Sequence, residues 1–120
     1  MHTWQRADPI LSKAIEWLEQ GTRPKQNELI GQPVEIRCLC AIWRTLILKD
    51  GILYRSWHHK HNPSLPKNCI VAPRIIREQI FEHLHAHRTA AHLGVKRTLE
   101  KVRDRFFWPQ SNKDIHRWCA

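Results

Sequence analysis

The chain has 120 residues, room for one domain or two small ones, and its 20 Lys and Arg against 11 Asp and Glu give a formal charge of +9. That balance suits an anionic partner, nucleic acid first and an acidic membrane surface second. A membrane span is excluded, because the longest apolar run, Ile42–Leu48, is broken by Arg44 and too short to cross a bilayer.

The start, Met1-His2-Thr3-Trp4-Gln5-Arg6, lacks the apolar run of a secretory signal. Four cysteines (Cys38, Cys40, Cys69, Cys119) without an export signal argue against a disulfide framework, so an intracellular protein with reduced thiols is expected. Asp8-Pro9 predicts the start of a helix, with Asp8 as cap and Pro9 at the first helical position, and Gly21 closes it. Leu11, Ala14, Ile15 and Leu18 then share its apolar face. Gly21 to Pro33 reads as a polar loop, and Cys38 and Cys40 as neighbours on one strand face by period two.

Asp50-Gly51 is a strong two-residue turn signal between Thr45-Leu46-Ile47-Leu48 and Ile52-Leu53-Tyr54, which predicts a hairpin within Ile42–Trp57. Trp57 to Lys67 reads as a polar loop, and Cys69-Ile70-Val71 as a third strand ended by Pro73. Beyond it the pattern is helical. Ile76, Ile80 and Leu84 recur with Phe81 beside them. A second helix starts at Gly94, with Val95, Leu99, Val102 and Phe106 on one face and a basic stripe of Lys96, Arg97, Lys101 and Arg103 on the other. Pro109 stops that helix, and Asn112 to Trp118 accommodates a third. The fold class expected is α+β: an N-terminal helix and a small hairpin or three-stranded sheet over residues 1–72, then a three-helix module over 73–120.

Four histidines, His83, His85, His87 and His92, fall between Glu82 and Leu93. A hydrolase ligand run is disfavoured, because on a helix His83 and His87 share a face while His85 points away, and no His-Glu-x-x-His motif occurs. His83 and His87 read as helix surface near a favourable C-terminal dipole, as do His2, His58, His59 and His61 as surface residues. A structural zinc site is the third reading. His85 and His92 could converge across a short connection, and Cys119 at the end of the third helix could join them. A Cys-x-x-Cys turn would complete the tetrahedron, but the chain stops at Ala120, two positions short of the second cysteine. Zinc is therefore expected to bind weakly. Cys38, Cys40 and Cys69 read as core or edge thiols, and Trp108 and Phe106 as core rather than base-stacking residues.

The stretch "LHAHRTAAHLGVKRTLEKVRDRFFWPQSNKDIHRWC" closely resembles the His-His-Cys-Cys (H2C2) zinc-binding domain of integrases from Ty3/gypsy-type retrotransposons and retroviruses. The resemblance runs through Leu84-His85, Ala91-His92-Leu93-Gly94, Lys96, Thr98-Leu99, Phe106-Phe107-Trp108-Pro109 and the Asp114…Trp118-Cys119 ending. Upstream, Trp4…Asp8-Pro9, Arg23-Pro24, "LILKDGILYR" and "CIVAPRIIREQI" resemble the N-terminal extension that precedes that domain in gypsy-type polyproteins. The resemblance implies a zinc-stabilised helical module, with His85, His92 and Cys119 as ligands, that supports integrase multimerisation and engages element-end DNA. It also implies a polyprotein fragment cut before the fourth ligand and without the two-Asp, one-Glu core that performs strand transfer. No catalytic residue and no enzymatic activity of its own are expected. Expected partners are DNA, met without sequence preference, and further integrase domains or copies of the chain, with no membrane; the setting would be the nucleus. The competing reading is an integrase-derived remnant that serves protein interaction, or nothing, without binding DNA.

Overall fold

The computed structural model describes residues 1–59, 62–86 and 95–119. Two helices open the chain, α1 (His2–Ala7) and α2 (Pro9–Gln20), followed by a 3-10 turn at Gln26–Leu29 and helix α3 (Val34–Ala41). A second 3-10 turn, Trp43–Thr45, leads into strands β1 (Leu46–Lys49), β2 (Ile52–His59) and β3 (Asn62–Val71). Helix α4 (Arg74–Ala86), helix α5 (Val95–Arg103), the short strand β4 (Phe106–Phe107) and helix α6 (Ser111–Cys119) complete it. The architecture is α+β.

Helix α2 forms as its ends predict: Asp8 Oδ1 accepts from the backbone N–H groups of Ile10 and Leu11, and Gly21 closes the helix in the left-handed region at φ 69°. Leu11, Ala14 and Ile15 are buried beneath it. Helix α1, which the sequence pattern did not announce, lies just before. Its Gln5 is fully buried and continues the β2–β3 ladder by side chain, with Nε2 donating to the carbonyls of Leu53 (2.9 Å) and Val71 (2.8 Å) and Oε1 accepting from Leu53 N–H (2.8 Å).

The hairpin turns at Asp50 (φ 53°) and Gly51 (φ 77°), and β1 pairs antiparallel with β2 from Lys49↔Ile52 to Leu46↔Arg55. A side chain at Gly51 would meet the His2 ring at 2.7 Å, so α1 packs close over the turn. The sheet has four strands in the order β1-β2-β3-β4 rather than the three expected. Two segments differ from their sequence patterns. In place of much of the expected Trp57–Lys67 loop, β2 runs to His59 and β3 begins at Asn62; the two pair antiparallel with an irregularity at His58/His59, Pro66 lying opposite His58. Phe106 leaves helix α5, which ends at Arg103, and joins β4, where Ile70↔Phe106 and Val71↔Phe107 pair in parallel.

Cys38 and Cys40 also depart from expectation, for they lie on helix α3 and not on a strand. Ile36, Leu39 and Cys40 are all buried, the i, i+3, i+4 spacing of a helix face, and this packing decides against the period-two spacing of the two cysteines.

Two apolar clusters result. One gathers Leu11, Ala14, Ile15, Leu39, Leu46, Leu53 and Val71 between the N-terminal helices and the hairpin. The other gathers Ala72, Ile76, Phe81, Leu99, Val102, Trp108 and Ile115 among α4, α5 and α6, with Met1 packed against it. Polar side chains join the two regions. Glu35 on α3, itself buried, accepts from Arg74 (2.8 Å) and from buried Arg77 (2.5 Å) on α4, and Asp8 Oδ2 accepts from the backbone N–H of Arg74 (2.8 Å).

Candidate functional site

Helix α4 carries its apolar residues inward at Ile76 and Phe81, so that its last turn brings His85 to one end of the second cluster. The His85 imidazole stacks on the Phe81 ring one turn earlier, with centroids 5.0 Å apart and planes 20° from parallel. Phe81 in turn meets Trp118 at 5.4 Å, and Trp118 meets fully buried Trp108 at 6.3 Å. Trp108 is held by a 3.0 Å hydrogen bond from its Nε1 to Asp114 Oδ2. Cys119, the residue after Trp118, packs half-buried against the same cluster. His85 thus stacks on one end of an aromatic ladder and Cys119 directly follows the ladder's middle member, each in the last turn of its helix.

His92, His87 and His61 fall outside the described residues. His116 is exposed on α6, and among the described residues no group of three or more His, Cys, Asp or Glu gathers where it could hold a metal ion. What the described part of the fold contributes is two donors of the types zinc prefers, an imidazole and a thiol, both half-buried. The donor chemistry fits the ion, with His92 as the remaining member of the expected set.

The other thiols are used differently. Cys69 is fully buried; its Sγ accepts from Trp57 Nε1 (3.3 Å) and donates to the Arg103 carbonyl (3.1 Å). Burial pushes its pKa up, with the Trp57 hydrogen bond opposing. Burial likewise raises Cys40, against the charge of Arg23. Cys38 is half-buried, and all four cysteines are free.

Of the basic stripe on α5, Lys96 and Arg97 are exposed and Lys101 is half-buried. Arg103, half-buried, keeps its charge while its guanidinium donates to Asn112 Oδ1 at the start of α6. Near it lies Arg55 on β2, which the sequence pattern did not single out. Arg55 sits over the rings of Phe107 (4.4 Å) and Trp57 (5.5 Å). The alternation along β2 places Arg55 and Trp57 on one face of the strand, a signal present in the sequence; the contact with Phe107 depends on β4 and was not.

Residues 72–120 match the family model of the integrase zinc-binding domain, of the H2C2 type. His85, His92, Cys119 and the whole basic stripe lie within that span, as do helices α4, α5 and α6. No curated protein matches the chain.

Proposed function

We propose that this chain is part of an integrase polyprotein of the Ty3/gypsy retrotransposon type, in which residues 73–120 form a zinc-holding module that supports integrase multimerisation and contact with element-end DNA. The observation that carries the reading is the match of residues 72–120 to the integrase zinc-binding domain. Residues 1–72 act as its N-terminal extension, a role supported by Asp8 and Glu35 reaching across to α4.

His85, His92 and Cys119 would hold the metal, which when bound would cross-link the end of α4 to the end of α6. The fourth tetrahedral position would be taken by water, by another side chain such as His116, or by a donor beyond these three. Lys96, Arg97, Lys101 and Arg103 meet DNA phosphates without reading sequence, and the nucleus is where such a partner is found. The module's role is supporting rather than catalytic: it positions other parts of an integrase and does not cut or join DNA itself.

The test is a short appended segment that places a cysteine three positions after Cys119. Zinc affinity and helical content should rise together in the extended chain, and His92→Ala should abolish both gains. A 120-residue chain that is equally folded with a strong chelator present, and unchanged by the added cysteine, would overturn the zinc assignment.

A further inference from the structure

On the side of the sheet where β2, β4 and the start of α6 meet, a pocket of about 320 Å³ opens, lined among others by Arg55, Trp57, Arg103, Phe107, Ser111 and Asn112. Its size lies at the lower end of the range of small-ligand sites. Two guanidinium groups face it, and no carboxylate among the described residues pairs with either. Arg55 is held over two aromatic rings, and its Nε is buried without a hydrogen-bond partner among the described residues. Burial lowers its pKa, Cys69 opposes this, and the charge of Arg103 adds to the lowering.

Two like charges beside aromatic walls repel each other, and water screens them poorly there. Stacking fixes the plane of a guanidinium, which prepares its fork for a tetrahedral oxyanion. Asn112 holds the second fork with a neutral oxygen, so the pair keeps its full positive charge.

We infer that this pocket is a phosphate-binding site, and that the phosphate is one carried by a nucleic-acid strand. The strongly basic chain favours that source over free phosphate. The lining includes none of His85, Cys119, Lys96 and Arg97, so the site can stand if the zinc reading falls.

Arginine Nε–H signals in nitrogen-15 spectra of the full chain provide the readout, since a buried Nε–H exchanges slowly with water. Inorganic phosphate should move the Arg55 and Arg103 signals saturably, and a 5′-phosphorylated single-stranded oligonucleotide should compete for the same signals. The same strand without its terminal phosphate tests whether the end or the backbone phosphate is taken; competition from either form supports the site. Asn112→Asp, an exposed change at a helix start that tolerates an acid, should weaken phosphate binding at least about tenfold while the fold persists. Reversal of Lys96 and Arg97 should leave inorganic phosphate binding unchanged. Equal shifts across all arginines, or an affinity indifferent to Asn112→Asp, would overturn the site. Phosphate binding with no competition from either strand would overturn the nucleic-acid source.

Discussion

The Asp8 carboxylate reaches the Arg74 backbone N–H at 2.8 Å with one oxygen while its other oxygen caps helix α2, so one side chain closes the starts of two helices. Asp8→Ala removes both caps at once. Each is worth about 1 kcal/mol, and the loss should reach about 2–3 kcal/mol because the group is buried. Asp8→Asn keeps one acceptor oxygen and should lose less. Urea unfolding midpoints of the three chains give the comparison; equal stability of Asp8→Ala and the parent would deny the double cap.

The Glu35–Arg77 pair predicts an asymmetry between single and double substitution. Glu35→Ala leaves the buried Arg77 cation uncompensated, a change that typically costs about 3–5 kcal/mol. Glu35→Leu combined with Arg77→Met replaces both charges by apolar volume and should recover most of that loss. A double-mutant cycle read by chemical denaturation would show it. Purely additive losses would mean that the two groups do not act as a pair.

If DNA meets the stripe through phosphates alone, four cations set the salt dependence. The logarithm of affinity should fall against the logarithm of salt concentration with a slope of roughly −3 to −4, alike for unrelated duplexes. Fluorescence anisotropy across a salt series measures this. Reversing Lys96 and Arg97 should flatten the slope by about 2, and an unchanged slope would remove those residues from the interface.

The buried thiols carry a pH signature. Burial raises the pKa of Cys69 and of Cys40, so each favours the protonated thiol in the folded chain. The stability this provides is fully present below the unfolded thiol pKa and is lost as pH rises through the raised folded values. Both thiols should therefore react with a disulfide reagent far more slowly than half-buried Cys38 at mildly alkaline pH, with rates that converge only on unfolding. Rapid labelling of Cys69 in the folded chain would contradict its burial.

Where a segment's own residues decide its form, the sequence was readable. Asp8-Pro9 and Gly21 bound helix α2, Asp50-Gly51 turns the hairpin, and Ile76 and Phe81 mark the buried face of α4. Where a distant partner decides, it was not. Cys38 and Cys40 fit a strand face by their period-two spacing, whereas the burial of Ile36, Leu39 and Cys40 follows a helix face. Phe106 fits the helical period of α5 but is drawn into β4 by the open edge of β3. Gln5 is polar and unremarkable in its segment, because its hydrogen-bond partners, Leu53 and Val71, lie far along the chain. For the candidate site, His85 and Cys119 were legible as donor types of the kind zinc prefers, whereas the aromatic ladder of Phe81, Trp118 and Trp108 beside them required the tertiary fold. The contact of Arg55 with Phe107 likewise depends on the pairing of β4.

The parallel pairing of β3 with β4 imposes an order of events on synthesis. Strand β3 is complete at Val71, yet the strand that covers its outer edge arrives only with Phe107. Until then, Cys69-Ile70-Val71 offers unpaired backbone groups beside apolar side chains, an arrangement that invites pairing between chains. A ribosome-bound or shortened chain ending between Val71 and Phe107 should therefore self-associate, while one carrying Phe107 should stay dispersed. The two aromatic residues of β4 act as an intramolecular guard against aggregation.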